Sequence, residues 1–263
     1  MYSQIEIDAQ FEGKLQLIYL NQPESYNSLT QVMLGELRNA VHKFSNDGNV
    51  RCIAIAGKGK AFCAGQNLKE ALGFDEDDRT IQRFVIEYYN PLVLEIVKCK
   101  KPVIALVNGP AVGAGAMLAS ICDFTLATES SYFSFAFANI GLIPDTAGTY
   151  YLPKLVGRQL ASYLSFTGKK VPATEAKKIG LVADVFADSE FVEKSMEVLT
   201  QLSHAATTAL YLTKKAFNKS YNFTLNEQLD YESIIQQDAA ETEDFKEGVA
   251  AFIEKRLPNY KGK

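Results

Sequence analysis

Three segments of the 263-residue chain hold the residue types with which it can do chemistry. The first, Ala61-Phe62-Cys63-Ala64-Gly65-Gln66-Asn67-Leu68-Lys69, follows an apolar run and a charged loop, and the small side chains around Gly65 let the backbone come close to a ligand. The second, Asn108 to Met117 with Val112-Gly113-Ala114-Gly115 at its centre, leaves another apolar run and opens an apolar helix toward Cys122. A helix N-terminus presents unpaired N–H groups and the positive end of its dipole, so this turn suits an oxyanion; it equally suits close packing of helix on sheet. A nicotinamide-binding turn is not indicated, because Leu118 stands where the third glycine after Gly113 and Gly115 belongs. The third segment, Phe133 to Thr149, carries Asp145 directly after Pro144 in apolar surroundings. Asp145 fits two roles: the N-cap of a helix continuing over Thr146 to Leu152, or an acid or base beside a bound substrate.

Other chemistries are disfavoured by what the chain lacks. It holds only two histidines, His42 and His204, neither with a serine–aspartate or cysteine partner in a recognisable motif, so imidazole-based triads and histidine metal sites are not expected. Lys and Arg total 27 against 31 for Asp and Glu, a net charge of −4, which argues against a nucleic-acid partner gripped by its phosphates. Apolar stretches such as Val103 to Val107 fall far short of the roughly 20 residues that cross a bilayer, so no membrane partner is expected. The first eight residues carry Glu6 and Asp8 where a secretory signal carries basic residues, and Cys52, Cys63, Cys99 and Cys122 form no Cys-x-x-Cys pair. These features predict a reduced, cytoplasmic protein.

Strands alternating with helices must hold the three segments in place. Ile5 to Ile7 and Leu15 to Leu20 read as a half-buried hairpin, and Thr30 is placed to cap a helix with the apolar face Val32, Leu34, Leu37, Ala40, Val41 and Phe44. Cys52 to Ala56, Val103 to Val107 and Phe124 to Ala127 are apolar runs of the kind found in strands covered on both faces, and Ile81 to Val97 reads as a helix. From Gly157 onward the pattern predicts helices over 159–166, 173–178, 190–202, 206–219, 225–240 and 242–254. The expected organisation is an α/β core over residues 1–200 with a helical region over 201–263.

The order and content of these segments resemble the crotonase (enoyl-CoA hydratase/isomerase) superfamily. The likeness runs from Asn27-Ser28-Leu29 through Ala61 to Gly65, Pro102 to Ala105, Asn108-Gly109, Cys122-Asp123, Ile140 to Pro144 and Ala173 to Leu181 to Glu243-Asp244-Phe245-Lys246-Glu247-Gly248 and Ala251 to Arg256. The resemblance implies a ClpP-like spiral of ββα units, a C-terminal region that forms a homotrimer or homohexamer, and acyl-CoA thioesters as substrates with no separate cofactor and no metal. It places the two oxyanion-hole amides on the backbone N–H groups of Gln66 and Ala114, a contact to adenine on Ala64, and contacts to the CoA phosphates and nucleotide on Lys69 and Lys255.

The hydratases of this superfamily use two glutamates, and Met117 and Phe137 occupy those positions here. Between residues 110 and 160 the carboxylates are Asp123, Glu129 and Asp145; Asp123 reads as structural beside Cys122, and Glu129 lies in a polar turn. Asp145 resembles the aspartate of the ring-1,2-epoxyphenylacetyl-CoA and enoyl-CoA isomerases, and one carboxylate can shift a double bond by taking a proton from one carbon and returning it to another. Met117, Phe137 and Tyr150 are expected to line the acyl pocket, and at least one of Phe133 and Phe135 to belong to the core. Three alternatives stand beside the isomerase: a hydratase, an aryl-CoA dehalogenase with Asp145 as nucleophile, and a non-catalytic acyl-CoA binder. The dehalogenases pair the aspartate with a tryptophan and a histidine, whereas this chain has no tryptophan and no histidine between residues 43 and 203.

Overall fold

The computed structural model describes residues 2–71 and 80–263. In chain order its elements begin with β1 (Ile5–Gln10), β2 (Leu15–Leu20), α1 (Gln31–Asn46), β3 (Cys52–Gly57), α2 (Leu68–Ala71), α3 (Thr80–Phe84), α4 (Asn90–Lys98) and β4 (Val103–Val107). The turn-forming half follows: β5 (Ala111–Val112), α5 (Ala114–Ser120), β6 (Phe124–Thr128), β7 (Tyr132–Ser134), α6 (Gly148–Val156), α7 (Arg158–Thr167), β8 (Val171–Pro172), α8 (Ala173–Lys178) and β9 (Asp184–Phe186). Four helices close the chain: α9 (Phe191–Ser203), α10 (Thr207–Ser220), α11 (Leu225–Ala240) and α12 (Glu243–Glu254).

The expected hairpin forms, with Ile5 opposite Leu20, and seeds a six-stranded sheet of order β1-β2-β3-β4-β6-β9 that is parallel beyond β2. Every residue of β3 and β4 is buried, as their unbroken apolar runs demand. Period-two alternation divides β3 between two cores. Ile53 and Ile55 pack with Met33, Leu34, Leu37 and Val41 of α1, while Cys52, Ala54 and Ala56 pack with Phe191 and Leu199 of α9. Each large aliphatic side chain so buried stabilises the fold by about 1.5–3 kcal/mol. Thr30 caps α1 by accepting the Met33 N–H at 3.1 Å. The buried face of α1 differs by one residue from the sequence expectation: Met33 turns inward and Val32 stays exposed.

A second, smaller layer stacks successive passes of the chain. Leu29 bridges Gln66, Cys63 bridges Ala111, and β5 pairs in parallel with β7, which meets β8 antiparallel. Each pass therefore contributes one strand to the large sheet and one short extended segment to the second layer before a helix returns it. This arrangement is a spiral of ββα turns, and it brings the 63–66 and 111–114 segments side by side. Phe133 and Phe135 are both core residues, 1% and 0% exposed. The C-terminal helices form with the expected limits to within a residue, α11 behind a capping box made by Thr224 and Glu227 and α12 behind a cap from Thr242.

Candidate active site

The 62–66 segment is zippered to the 110–115 turn by backbone hydrogen bonds. Phe62 and Cys63 N–H groups donate to the Pro110 carbonyl at 3.1 and 3.2 Å, and Val112 N–H donates to the Cys63 carbonyl at 2.9 Å. Glycines make this approach possible. Gly65 has φ +93°, and a Cβ on it would stand 2.7 Å from the Val112 oxygen and 3.5 Å from the Ala114 nitrogen. A Cβ on Gly115 would meet the Cys63 oxygen at 2.3 Å, so the first turn of α5 can lie directly on Cys63. Burial pushes the Cys63 thiol up to about 12, which keeps it protonated and a poor nucleophile.

Two N–H groups at this junction are without an acceptor among the described residues. Leu29 N–H donates to the Gly65 carbonyl and Asn67 N–H to the Leu29 carbonyl, so the intervening Gln66 N–H is turned to the opposite side. Ala114 opens α5 and has no intrahelical acceptor for its own N–H. Neither N–H has an acceptor among the described residues. Both residues line one cavity of about 250 Å³. A carbonyl oxygen placed there would meet two rigid backbone donors, the arrangement that favours a developing oxyanion over a neutral carbonyl.

Asp145 lines the same cavity, and it is the only carboxylate doing so among the described residues. The capping role is not realised. Thr146 and Ala147 adopt left-handed conformations, φ +51° and +61°, so α6 begins only at Gly148, with Ala147 at its N-cap and no side-chain cap bond. Two consecutive non-glycine residues in this region cost on the order of 1–3 kcal/mol each, a strain of the kind that clusters at functional sites. The Asp145 Oδ1 instead accepts the Thr146 hydroxyl at 2.9 Å. Burial raises its pKa above the ordinary carboxylate value, and the Thr146 hydrogen bond partly opposes that rise.

The rest of the lining is apolar: Leu68, Ile81, Phe84, Val85 and Val112 on one side, Ala136, Phe137, Ile140 and Leu142 on the other, with Ala64 at the edge. Of the three residues expected to line the acyl pocket, Phe137 lines this cavity, and Met117 and Tyr150 do not. Met117 is fully buried under the start of α6, where a Cβ on Gly148 would come within 3.0 Å of its sulfur. Tyr150 faces outward and packs edge-on against Tyr151 and Tyr221. Lys255 is exposed at the left-handed C-cap of α12 and does not line this cavity, and the Lys69 side chain lies outside the described residues. A residue that sequence reasoning missed is Tyr89, 3% exposed, whose hydroxyl donates to Gln66 Oε1 at 2.5 Å. Its one sequence signal is Pro91. Pro91 has no N–H for the Glu87 carbonyl and its ring would press on it, and directly before it the chain widens into a π turn over Val85–Tyr89 that aims Tyr89 into the cavity.

A spiral of ββα turns with helices at its C-terminus defines the crotonase class of α/β fold. A sequence model described as enoyl-CoA hydratase/isomerase matches residues 10–263, and the chain belongs to that family. It is 37% identical over 257 residues to the 1,2-epoxyphenylacetyl-CoA isomerase of Escherichia coli strain K12, covering 96% of this chain and 97% of that one. It is also 37% identical to a probable enoyl-CoA hydratase of Rhodobacter capsulatus, covering 95% of each. Among solved structures, the enoyl-CoA hydratase of Bacillus anthracis superposes with a TM-score of 0.93 at 33% identity, over 99% of this chain and all of that one.

Proposed function

We propose that this chain isomerises an acyl-CoA thioester, with the thioester oxygen bound by the Gln66 and Ala114 N–H groups and Asp145 shuttling the proton. The observation that carries this reading is the single carboxylate: Asp145 alone lines, among the described residues, a cavity that also presents the two free N–H groups. For a 3-enoyl thioester, the Asp145 carboxylate removes a proton from C2, and the electrons move onto the thioester oxygen as a dienolate. The carboxylic acid so formed returns the same proton to C4, leaving the double bond between C2 and C3. Atoms and charge balance with no cofactor and no added water. A thioester whose ring epoxide lies one methylene from the carbonyl, as the name of the Escherichia coli relative describes, offers the same acidic C2–H and the same enolate. The pocket wall of Phe84, Val85, Phe137, Ile140 and Leu142 suits an apolar acyl group and, by excluding water, supports the raised pKa that a base near neutral pH needs.

Ala64, Lys69 and Lys255 are proposed to contact CoA. The region 201–263 is proposed to assemble the chain into a homotrimer or homohexamer, supported by Phe252, Ile253 and Leu257, which are 86%, 72% and 90% exposed on the single chain. Hydration is the second reading, favoured by the names of the Rhodobacter relative and of the Bacillus structure.

The test incubates the purified protein and Asp145→Asn with a 3-enoyl-CoA and, separately, with crotonyl-CoA in water, following bond position by absorbance and water addition by mass. Conversion of the 3-enoyl substrate by the parent, lost in the variant by about 10²–10⁴-fold, without hydration of crotonyl-CoA, is the expected result. Hydrated crotonyl-CoA, or an Asp145→Asn variant as active as the parent, overturns the assignment. Silence toward both substrates transfers weight to an aryl-CoA substrate or to a binder without turnover.

A further inference from the structure

Tyr89 has no part in the proton transfer just described, yet it is bonded to Gln66, whose N–H is read above as a donor to the thioester oxygen. Its hydroxyl donates to Gln66 Oε1 at 2.5 Å, and its ring is buried against Phe84 with centroids 5.6 Å apart. Gln66 sits in no helix or strand, between Gly65 at φ +93° and the start of α2 two residues on. The peptide planes on either side of it are each tied to Leu29, the Gly65 carbonyl at 2.7 Å and the Asn67 N–H at 2.9 Å. Both backbone ties run to one residue, Leu29, on the side of the chain away from the Gln66 N–H. The side-chain bond to Tyr89 adds a third, separate anchor to Gln66. The other donor needs no such support, because Ala114 is fixed by the first turn of α5, where the Gly113 carbonyl accepts the Met117 N–H at 3.1 Å.

We propose that Tyr89 is a positioning residue for the thioester oxygen, holding the Gln66 N–H in place through Gln66 Oε1. This rests on the reading that Gln66 N–H binds that oxygen. Burial and the negative charge of Asp145 push the Tyr89 hydroxyl well above its ordinary pKa, so it remains a donor across the working pH range. The π turn that delivers it is the widened helical geometry often found at functional sites. A donor misaligned in the transition state lowers kcat while leaving ground-state binding nearly untouched, so the proposal specifies which kinetic constant moves.

The experiment uses the full chain with Tyr89→Phe, Gln66→Met and the double variant. Gln66→Met keeps the backbone N–H and removes only the acceptor. Two readouts are taken: kcat and KM on a 3-enoyl-CoA, and the red shift in absorbance of bound hexadienoyl-CoA, which reports polarisation of the thioester carbonyl without turnover. Tyr89→Phe is expected to lower kcat about tenfold with KM within about twofold and to shrink the red shift; Gln66→Met is expected to do the same, and the double variant to be no worse than Gln66→Met within about twofold. The proposal is overturned by a Tyr89→Phe variant with unchanged kcat, by a change confined to KM, or by a full further tenfold loss in the Gln66→Met background. If Tyr89→Phe does not fold, Gln66→Met alone must show the kcat loss and the smaller shift, or the proposal fails. A parent protein that gives no red shift overturns the oxygen-binding reading itself, whereas a shift equal in parent and variants overturns only the role of Tyr89.

Discussion

A Cβ on Gly65 would lie 2.7 Å from the carbonyl oxygen of Val112, nearer than such atoms approach, at a backbone φ of +93°. Contact and conformation oppose a side chain together, and both arise because the loop must reach the turn that carries Ala114. Gly65→Ala is therefore expected to destabilise the protein by roughly 2–4 kcal/mol and to cut activity by at least about 10²-fold through displacement of the Gln66 donor. Gly48, where a Cβ would meet nothing within 4 Å and φ is not positive, serves as control; Gly48→Ala should change stability by less than about 0.5 kcal/mol. Urea unfolding and steady-state assays of the two variants check both halves.

Asp145→Asn should separate activity from stability. No cap is lost, since α6 takes no side-chain bond at its N-cap, and the asparagine oxygen can still accept the Thr146 hydroxyl. The folded Asp145 has a pKa raised above its unfolded value, so its ionisation favours the unfolded chain: its contribution to stability is fully present at low pH and is lost as pH rises through the folded pKa. At pH 7 the asparagine removes that penalty. The variant is expected to melt at a higher temperature than the parent at pH 7, with the advantage gone below the ordinary aspartate pKa. A variant that melts lower than the parent at pH 7 contradicts the burial argument.

The pH profile follows from the same carboxyl. As a base, Asp145 must be ionised, so kcat/KM should fall on the acid side at a pH above that of an ordinary carboxylate. The Thr146 hydroxyl, at 2.9 Å from Oδ1, stabilises the charged form. Thr146→Val removes this bond, raises the Asp145 pKa further and moves the acid limb to higher pH. A limb that stays fixed, or moves down, excludes Asp145 as the titrating base.

Much of this architecture is legible in the residues themselves, because it is local. Thr30 and Thr242 mark helix starts by their own side chains, and the continuous apolar runs at 52–56 and 103–107 declare strands covered on both faces. The candidate site is most legible where backbone sets it, at Gly65, Gln66 and Ala114, which all line the cavity. Asp145 looks like a cap because nothing in Thr146-Ala147 announces the left-handed backbone that both adopt directly before Gly148, which packs closely on Pro144 and Met117. Met117 is buried in that packing and does not line the pocket. Tyr89 is invisible for a different reason: a helix of ordinary period would turn it elsewhere, and the π turn exists only in context. Tyr150, two residues beyond Gly148, is close to Asp145 in sequence but lies on the outer face of α6.

The end of the chain provides a prediction independent of the cavity. Asp244, 3% exposed on α12, accepts the N–H groups of Lys261 and Gly262 at 2.6 and 2.8 Å and returns its own N–H to the Lys263 carbonyl at 3.1 Å. The segment is held from the other side by Thr208, whose hydroxyl donates to the Gly262 carbonyl at 2.9 Å, and by the buried Arg51, which donates to Tyr260 and feels the Asp244 charge. Asp244→Ala strands two N–H groups and leaves the Arg51 guanidinium without its opposing charge, for an expected loss of about 2–4 kcal/mol. For a chain of this size that corresponds to a melting midpoint lower by roughly 4–7 °C. Asp244→Asn keeps one acceptor oxygen and should fall between parent and alanine. Because Asp244 does not line the cavity, kcat of the folded variants at low temperature should match the parent. Calorimetry of the three proteins beside a single assay decides it: equal midpoints, or an asparagine variant weaker than alanine, would show that these hydrogen bonds do not hold the C-terminal segment to the core.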